Sequence, residues 1–169
     1  MNTSPAPEGL PGGGEVVAGE DDLPPLPERR SGRDGVGSRR EARERALALL
    51  YEAETKSLTP AEVIAALPAP PEPFAAEVVL GIGDHAGHID ELLQRYAKNW
   101  DLERMPAIDR ALLRMGVFEL AYRPDVPIGA AISEAVELAK RYSTDDSGKF
   151  VNGMLSRIAE EVRGEASPG

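Results

Sequence analysis

Pro106-Ala-Ile-Asp-Arg-Ala-Leu-Leu-Arg-Met-Gly-Val-Phe-Glu-Leu-Ala-Tyr-Arg-Pro124 reads as a helix with both of its ends written in. Proline suits a first helical position, where its missing N–H would be unpaired anyway, and Pro124 and Pro127 end the helix because a proline inside one removes a hydrogen bond and clashes with the preceding turn. Ile108, Leu112, Met115 and Glu119 fall on one side at helical spacing, with Ala111, Val117, Phe118 and Leu120 around it. The same period recurs on both sides of this stretch, and no segment alternates with the period of two that a strand needs. The sequence therefore predicts an all-α protein, a compact helical domain of about seven helices in two small bundles around one core.

Downstream, Ala130 to Tyr142 is predicted as a helix with Ile132, Ala135, Val136 and Ala139 inward and Glu134, Glu137 and Lys140 outward. A last helix is predicted from Asp145 to Arg163, with Asp145 or Asp146 placed to cap it. Asn152 and Gly153 are poor helix formers inside it, so tight packing or a side-chain bond is expected there. Upstream lies a short helical turn at Asp101 to Met105. Before it, Phe74, Val78, Ile82, Ala86, Ile89, Leu92, Leu93 and Tyr96 keep the 3.6 period, which predicts one helix of about 24 residues from Pro73, with Gly81, Gly83 and Gly87 allowing close packing. Thr59, Pro60 and Glu62 open a short helix that Pro68, Pro70 and Pro71 close. The first helix is predicted from Ser38, which makes a capping-box pattern with Glu41 and precedes the stripe Ala46, Leu49, Leu50 and Ala53.

Composition bounds the function classes. The chain has 169 residues, 41% of them hydrophobic but only 5% aromatic, so its core must be built mostly from Ala, Leu, Val and Ile. Without cysteine there is no disulfide framework and no thiolate metal site, in keeping with a reducing compartment. No apolar run approaches the roughly 18 residues a membrane span needs, and no signal peptide opens the chain, so no membrane partner and a cytoplasmic location are expected. Residues 1–38 hold six prolines and eight glycines with no apolar period. Residues 1–37 are accordingly read as a disordered, acidic Pro/Gly-rich tail, 38–163 as the helical domain and 164–169 as a short flexible C-terminus.

The net charge of −10 means that nucleic-acid binding would have to rest on a local patch. One exists. Seven arginines, Arg29, Arg30, Arg33, Arg39, Arg40, Arg43 and Arg45, stand against Asp34, Glu41 and Glu44, and they run into the first helix. On residue pattern alone two meanings are open: a grip on a nucleic-acid backbone, or a solvated face with internal pairs such as Arg40 with Glu44. Enzyme chemistry has less to offer. His85 and His88 beside Asp84 and Asp90 lack a third ligand and a His-Glu-x-x-His pattern and read as helix-surface residues. Gly81-Ile-Gly83 lacks the third glycine of a dinucleotide loop, no phosphate loop is present, and no nucleophile elbow marks a triad, so neither a catalytic site nor a cofactor is expected.

Four blocks in order then carry a resemblance: Arg39-Arg-Glu-Ala-Arg-Glu-Arg-Ala-Leu-Ala-Leu-Leu-Tyr51, Asp109 to Leu120, Asp125-Val-Pro with Ser133-Glu-Ala-Val-Glu-Leu-Ala-Lys140, and Asp146-Ser-Gly-Lys-Phe-Val-Asn-Gly-Met-Leu155. Together they resemble the NusB family of transcription antitermination factors over residues 38 to 163. The resemblance implies a non-enzymatic protein that binds boxA-type single-stranded leader RNA of rRNA operons together with the small-subunit ribosomal protein NusE. It also implies a place in an antitermination complex on RNA polymerase. The family's arginine-rich start maps RNA contact onto Arg39, Arg40, Arg43 and Arg45, which physics supports, since guanidinium groups pair bidentately with phosphates and stack on unpaired bases. A second RNA element maps onto Asp146, Lys149 and Phe150; an aromatic in a first helical turn is either buried or laid against a base. NusE docking maps onto Asp109, Arg110 and Glu134. Two alternatives remain: a helical adaptor that binds only protein, and the RNA-binding domain of an rRNA methyltransferase, which would require a truncated chain because Gly169 leaves no room for a catalytic domain.

Since residues 1–34 carry no core pattern, deleting them is expected to leave the thermal unfolding midpoint unchanged; a large fall in the melting temperature overturns that reading.

Overall fold

The computed structural model describes residues 35–98 and 101–164. The expectations of a disordered stretch over 1–34 and a flexible one over 165–169 lie outside the described residues, as do Arg29, Arg30 and Arg33. The first helix, α1, spans Gly35–Thr55, so it opens before Ser38 and the Ser38–Glu41 pattern is not its start. It stops where Ser57 takes a left-handed φ of 57° and the Leu58 N–H reaches back to the Ala53 carbonyl at 2.7 Å, the bond that closes a Schellman turn. Helix α2, Pro60–Ala65, starts as its sequence predicts: Thr59 Oγ1 accepts from the Glu62 N–H at 3.1 Å, and Glu62 Oε1 accepts from the Thr59 N–H at 2.9 Å.

The long helix predicted from Pro73 is two helices, α3 over Pro73–Asp84 and α4 over Ala86–Ala97, broken at His85 (φ −115°, ψ 25°). Glycines on both sides weaken the helix there, and two of them meet neighbours at very short range. A Cβ on Gly81 would stand 2.2 Å from Phe118 Cε1, and one on Gly83 would stand 3.2 Å from Pro60 Cβ, whereas Gly87 meets nothing within 4 Å. The break lets α3 lie on α1 and α2 while α4 turns toward the C-terminal helices. A 3₁₀ turn, Leu102–Arg104, leads into α5, Ala107–Tyr122, and α6 spans Ile128–Tyr142. The last helix, α7, covers Asp145–Arg163 as predicted, but its cap is Thr144, whose Oγ1 accepts from the Ser147 N–H at 2.9 Å. Asp145 and Asp146 occupy the first turn instead, where negative charge suits the helix dipole.

Helix α5 organises the rest. Every residue from Asp109 to Leu120 is buried except Arg114, because α1 and α3 pack on one side of the helix and α4, α6 and α7 on the other. The two groups share one continuous core. On α6 the buried set is Ala131, Ala135, Leu138, Ala139 and Tyr142, so Ile132 and Val136, predicted inward, lie only half-buried at its edge. Arg163 closes the far end of α5: its guanidinium donates to the carbonyls of Leu120, Val126, Glu119 and Arg123 at 2.8–3.0 Å, satisfying acceptors that a helix end leaves open. Tight packing at Gly153 is not found, since nothing lies within 4 Å of its Cβ position, and Asn152 is exposed; on the opposing helix, a Cβ on Gly116 would meet Leu155 Cδ1 at 2.5 Å.

Gly81→Ala should therefore destabilise the fold by about 1–3 kcal/mol through overpacking against the Phe118 ring, whereas Gly153→Ala should stabilise it by about 0.5–1 kcal/mol through helix propensity. Urea denaturation of both variants checks the pair, and equal midpoint shifts of the same sign would contradict the packing described.

Candidate nucleic-acid interface

The 100° step of a helix sends the α1 arginines to different surroundings. Arg39 is half-buried with its guanidinium 4.1 Å over the Phe74 ring, a cation–π contact that holds the planar group against the start of α3. Asp125 is close enough to feel it: the hydrogen bond from Arg123 is the main cause that lowers the Asp125 carboxyl below its ordinary pKa, and the charge of Arg39 adds to it.

Arg43 is not a surface residue. Only 6% exposed, it makes three hydrogen bonds to the 2%-exposed Glu119 of α5, at 2.6, 3.0 and 3.2 Å. A guanidinium taken from water requires such a partner, and the fork geometry of arginine supplies it. The RNA contact mapped onto Arg43 is thus corrected: its charge is spent on joining α1 to α5.

Arg40 and Arg45 are exposed. Arg40 donates to both carboxylate oxygens of Glu134 on α6, at 3.1 and 2.7 Å, and this hydrogen bonding, followed by the Glu134 charge, raises its pKa above the ordinary guanidinium value. The Arg40–Glu44 pair suggested by spacing does not form; Glu44 is buried and accepts from Arg141 of α6. Two ion pairs therefore lay the arginine turn of α1 along α6. On α6 itself, Lys140 packs against the start of α7, where its Cγ would be 3.0 Å from a Cβ on Gly148. Arg40, Arg45, Lys140, Arg141 and Lys149 are all exposed, and among the described residues Arg45, Lys140 and Lys149 have no ion-pair partner. Arg40 and Arg141, each paired to a carboxylate across the α1–α6 contact, Lys140 at the α6–α7 corner and exposed Lys149 in the first turns of α7 are the cations of this corner, a basic ridge interleaved with Glu44, Glu134 and Glu137. Sequence reading missed Arg141 and took Lys140 only as an outward charge; their adjacency at a helix end was visible, but their position beside α1 depends on the packing. Asp146 is exposed at the head of α7, and Phe150 is half-buried, with part of its ring on the core.

Two of the positions mapped to protein docking are interior. Asp109 is 4% and Arg110 8% exposed. Asp109 accepts from the hydroxyls of Ser143 and Ser147, both at 2.8 Å. Arg110 donates to the carbonyls of Leu102 and Met105 at 2.7 Å and pairs with Glu54. The expectation of solvent-facing contacts at these two residues is corrected, because both charges are consumed inside the fold. Glu134 lies nearer the surface but is engaged by Arg40.

His85 and His88, read as surface residues, are half-buried and exposed respectively, and both close on one aromatic: the His85 ring stacks on Tyr122 at 3.8 Å, and His88 Nδ1 lies 2.6 Å from the Tyr122 hydroxyl. Among the described residues no cluster of three or more His, Cys, Asp or Glu could hold a metal, and no helix is long and apolar enough to cross a membrane.

This helical arrangement has known counterparts. Residues 40–160 match the model of the NusB family. The chain is 50% identical over 129 residues to the transcription antitermination protein NusB of Kineococcus radiotolerans, covering 74% of this chain and 95% of that one. It is 48% identical to that of Thermobifida fusca, covering 91% of the relative. Among solved structures it resembles T. maritima NusB (TM-score 0.66, 36% identity, 73% of this chain and 91% of that one). It also resembles a chain in a complex of the antitermination factors NusB and NusE with double-stranded RNA (TM-score 0.62, 28% identity, 73% and 96%).

Removing Arg43 strands the Glu119 carboxylate in the core, so Arg43→Ala should cost about 3–5 kcal/mol, while Arg45→Ala should stay within about 0.5 kcal/mol of the parent. Chemical denaturation decides between these roles, and equal stabilities would place Arg43 at the surface after all.

Proposed function

Because the chain belongs to the NusB family, we propose that it is a transcription antitermination factor that binds boxA-type single-stranded leader RNA of rRNA operons together with the ribosomal protein NusE. In that role it joins the antitermination complex and keeps RNA polymerase processive in the cytoplasm, where bacterial transcription runs. The family is non-enzymatic, and binding is the whole of its chemistry.

The observation that carries the RNA assignment is the basic ridge. A protein of net charge −10 exposes Arg40, Lys140, Arg141 and Lys149 where α1, α6 and α7 meet, with Arg45 also exposed on α1. Such a patch focuses the field and draws a phosphate backbone away from the acidic remainder. Arg39, already stacked on Phe74, and the outer part of Phe150 offer flat surfaces to unpaired bases, and Asp146 can accept from a base edge or a ribose hydroxyl. Asp109 and Arg110 serve NusE indirectly, by holding the start of α5, and Glu134 serves through its grip on Arg40.

Fluorescence anisotropy with a labelled boxA single strand tests this. Arg40→Ala/Arg45→Ala/Lys149→Ala should weaken binding at least about tenfold and flatten the salt dependence, by roughly 0.7 in slope for each phosphate that is no longer neutralised. Affinities equal to the parent at every salt concentration would remove the ridge from the interface; an absence of salt-dependent RNA binding in the parent would favour a protein-only adaptor.

A further inference from the structure

One buried carboxylate ties Ser143, between α6 and α7, to Ser147 in the first turn of α7. Ser143 donates to Asp109 Oδ1 and Ser147 donates to Asp109 Oδ2, each at 2.8 Å. Thr144 Oγ1 donates to Ser147 Oγ at 3.1 Å and accepts from the Ser147 N–H at 2.9 Å. Each hydroxyl has one proton, and these three donations use them all. The 2.9 Å approach of Ser143 Oγ to Ser147 Oγ is then a contact between two donors to the same carboxylate, not a further hydrogen bond. Asp109 is 4% and Ser147 7% exposed, so water does not substitute for these bonds.

Geometry makes the network directional. Asp109 sits in the first turn of α5, which is immobilised along its length by the core, whereas the start of α7 leaves Asp145, Asp146 and Lys149 exposed. Beyond that turn α7 is anchored by buried Val151, Met154, Leu155 and Ile158. Only its first residues depend on Thr144 and the Asp109 tie. Lys149 and Phe150 follow Ser147 within one turn, and the intervening Gly148 admits Lys140 at the corner. A helix start without its tie frays, and fraying here would move the charge and the ring that face RNA.

We propose that Asp109 is a positioning residue for RNA binding, whose carboxylate, through Ser143 and Ser147, locks the α6–α7 corner and presents Lys149 and Phe150 in a fixed register with the arginines of α1. This rests on the RNA-binding reading above. It replaces a direct docking contact with a mechanical one: whatever binds near the start of α5 shares a hydrogen-bond network with the RNA face, so the two events can be coupled through it.

The test uses the full chain with Asp109→Asn, the double variant Ser143→Ala/Ser147→Ala, and the combination of the two. Affinity for a labelled boxA single strand, amide hydrogen exchange and thermal unfolding are read on each. The expected result is an affinity loss of about fivefold for Asp109→Asn and for the serine pair, with little further loss on combining them, because both break the same network. Exchange at residues 145–150 should quicken by at least about tenfold while residues 112–120 keep their protection. Folded variants with parental RNA affinity, or with losses that simply add, overturn the proposal. If the double variant does not fold, the single Ser143→Ala and Ser147→Ala variants carry the same comparison. If the parent binds no RNA, the functional reading fails by itself, and exchange at 145–150 still decides whether Asp109 locks the corner.

Discussion

Helix α5 is surrounded by five other helices and yet carries Asp109, Arg110 and Glu119 in its buried surface. Charges removed from water are tolerated only with close partners, so each of these residues dictates what must lie beside it. Glu119 requires Arg43, which places α1. Arg110 requires the carbonyls of Leu102 and Met105, which seats the 3₁₀ turn, and Glu54, which returns to the tail of α1. Asp109 requires the α6–α7 corner, and Arg163 reaches back from the end of α7 to the last carbonyls of α5. Apolar burial drives the assembly, but it is non-directional; these polar ties select which helix meets which.

A consequence is that residues of one type divide into separate roles. Along α1, Arg43 is a core residue, Arg39 is laid on an aromatic ring, Arg40 bridges to α6, and Arg45 faces solvent. The ion pairs of Arg40 with Glu134 and of Arg141 with Glu44 are partly exposed, and exposed pairs contribute little to stability. Their effect is geometric: they align two helices so that charges distant in sequence form one ridge on an otherwise acidic protein. Ligand phosphates can compete for such half-open guanidiniums in a way that is closed to the buried Arg43.

Interrupting a helix has a similar logic. The period from Phe74 to Tyr96 is continuous, and a single helix would satisfy every local rule. Gly81 allows the Phe118 ring to approach so closely that α3 is fixed against α5, and the chain must then bend at His85 for Ile89, Leu92 and Leu93 to reach the second group of helices. His85 and His88 both settle on Tyr122 as a result, a shared partner that sequence pattern does not show.

Local chemistry written in the chain was sufficient for the all-helical class and the order of its segments, for the capping box at Thr59, for the extent of the last helix and, through four ordered blocks, for the family. The helices and the cap depend on residues within a turn or two of one another, and the blocks on order along the chain, so a linear reading reaches them. The break at His85, the Thr144 cap, the burial of Arg43, Asp109 and Arg110, and the union of Lys140 and Arg141 with the α1 arginines were decided by tertiary structure. An arginine reads the same whether its partner is water, a phosphate or Glu119, which lies 76 residues away. Only the packed helices determine which of these it meets, because the cost of burying a charge is set by what stands beside it in space.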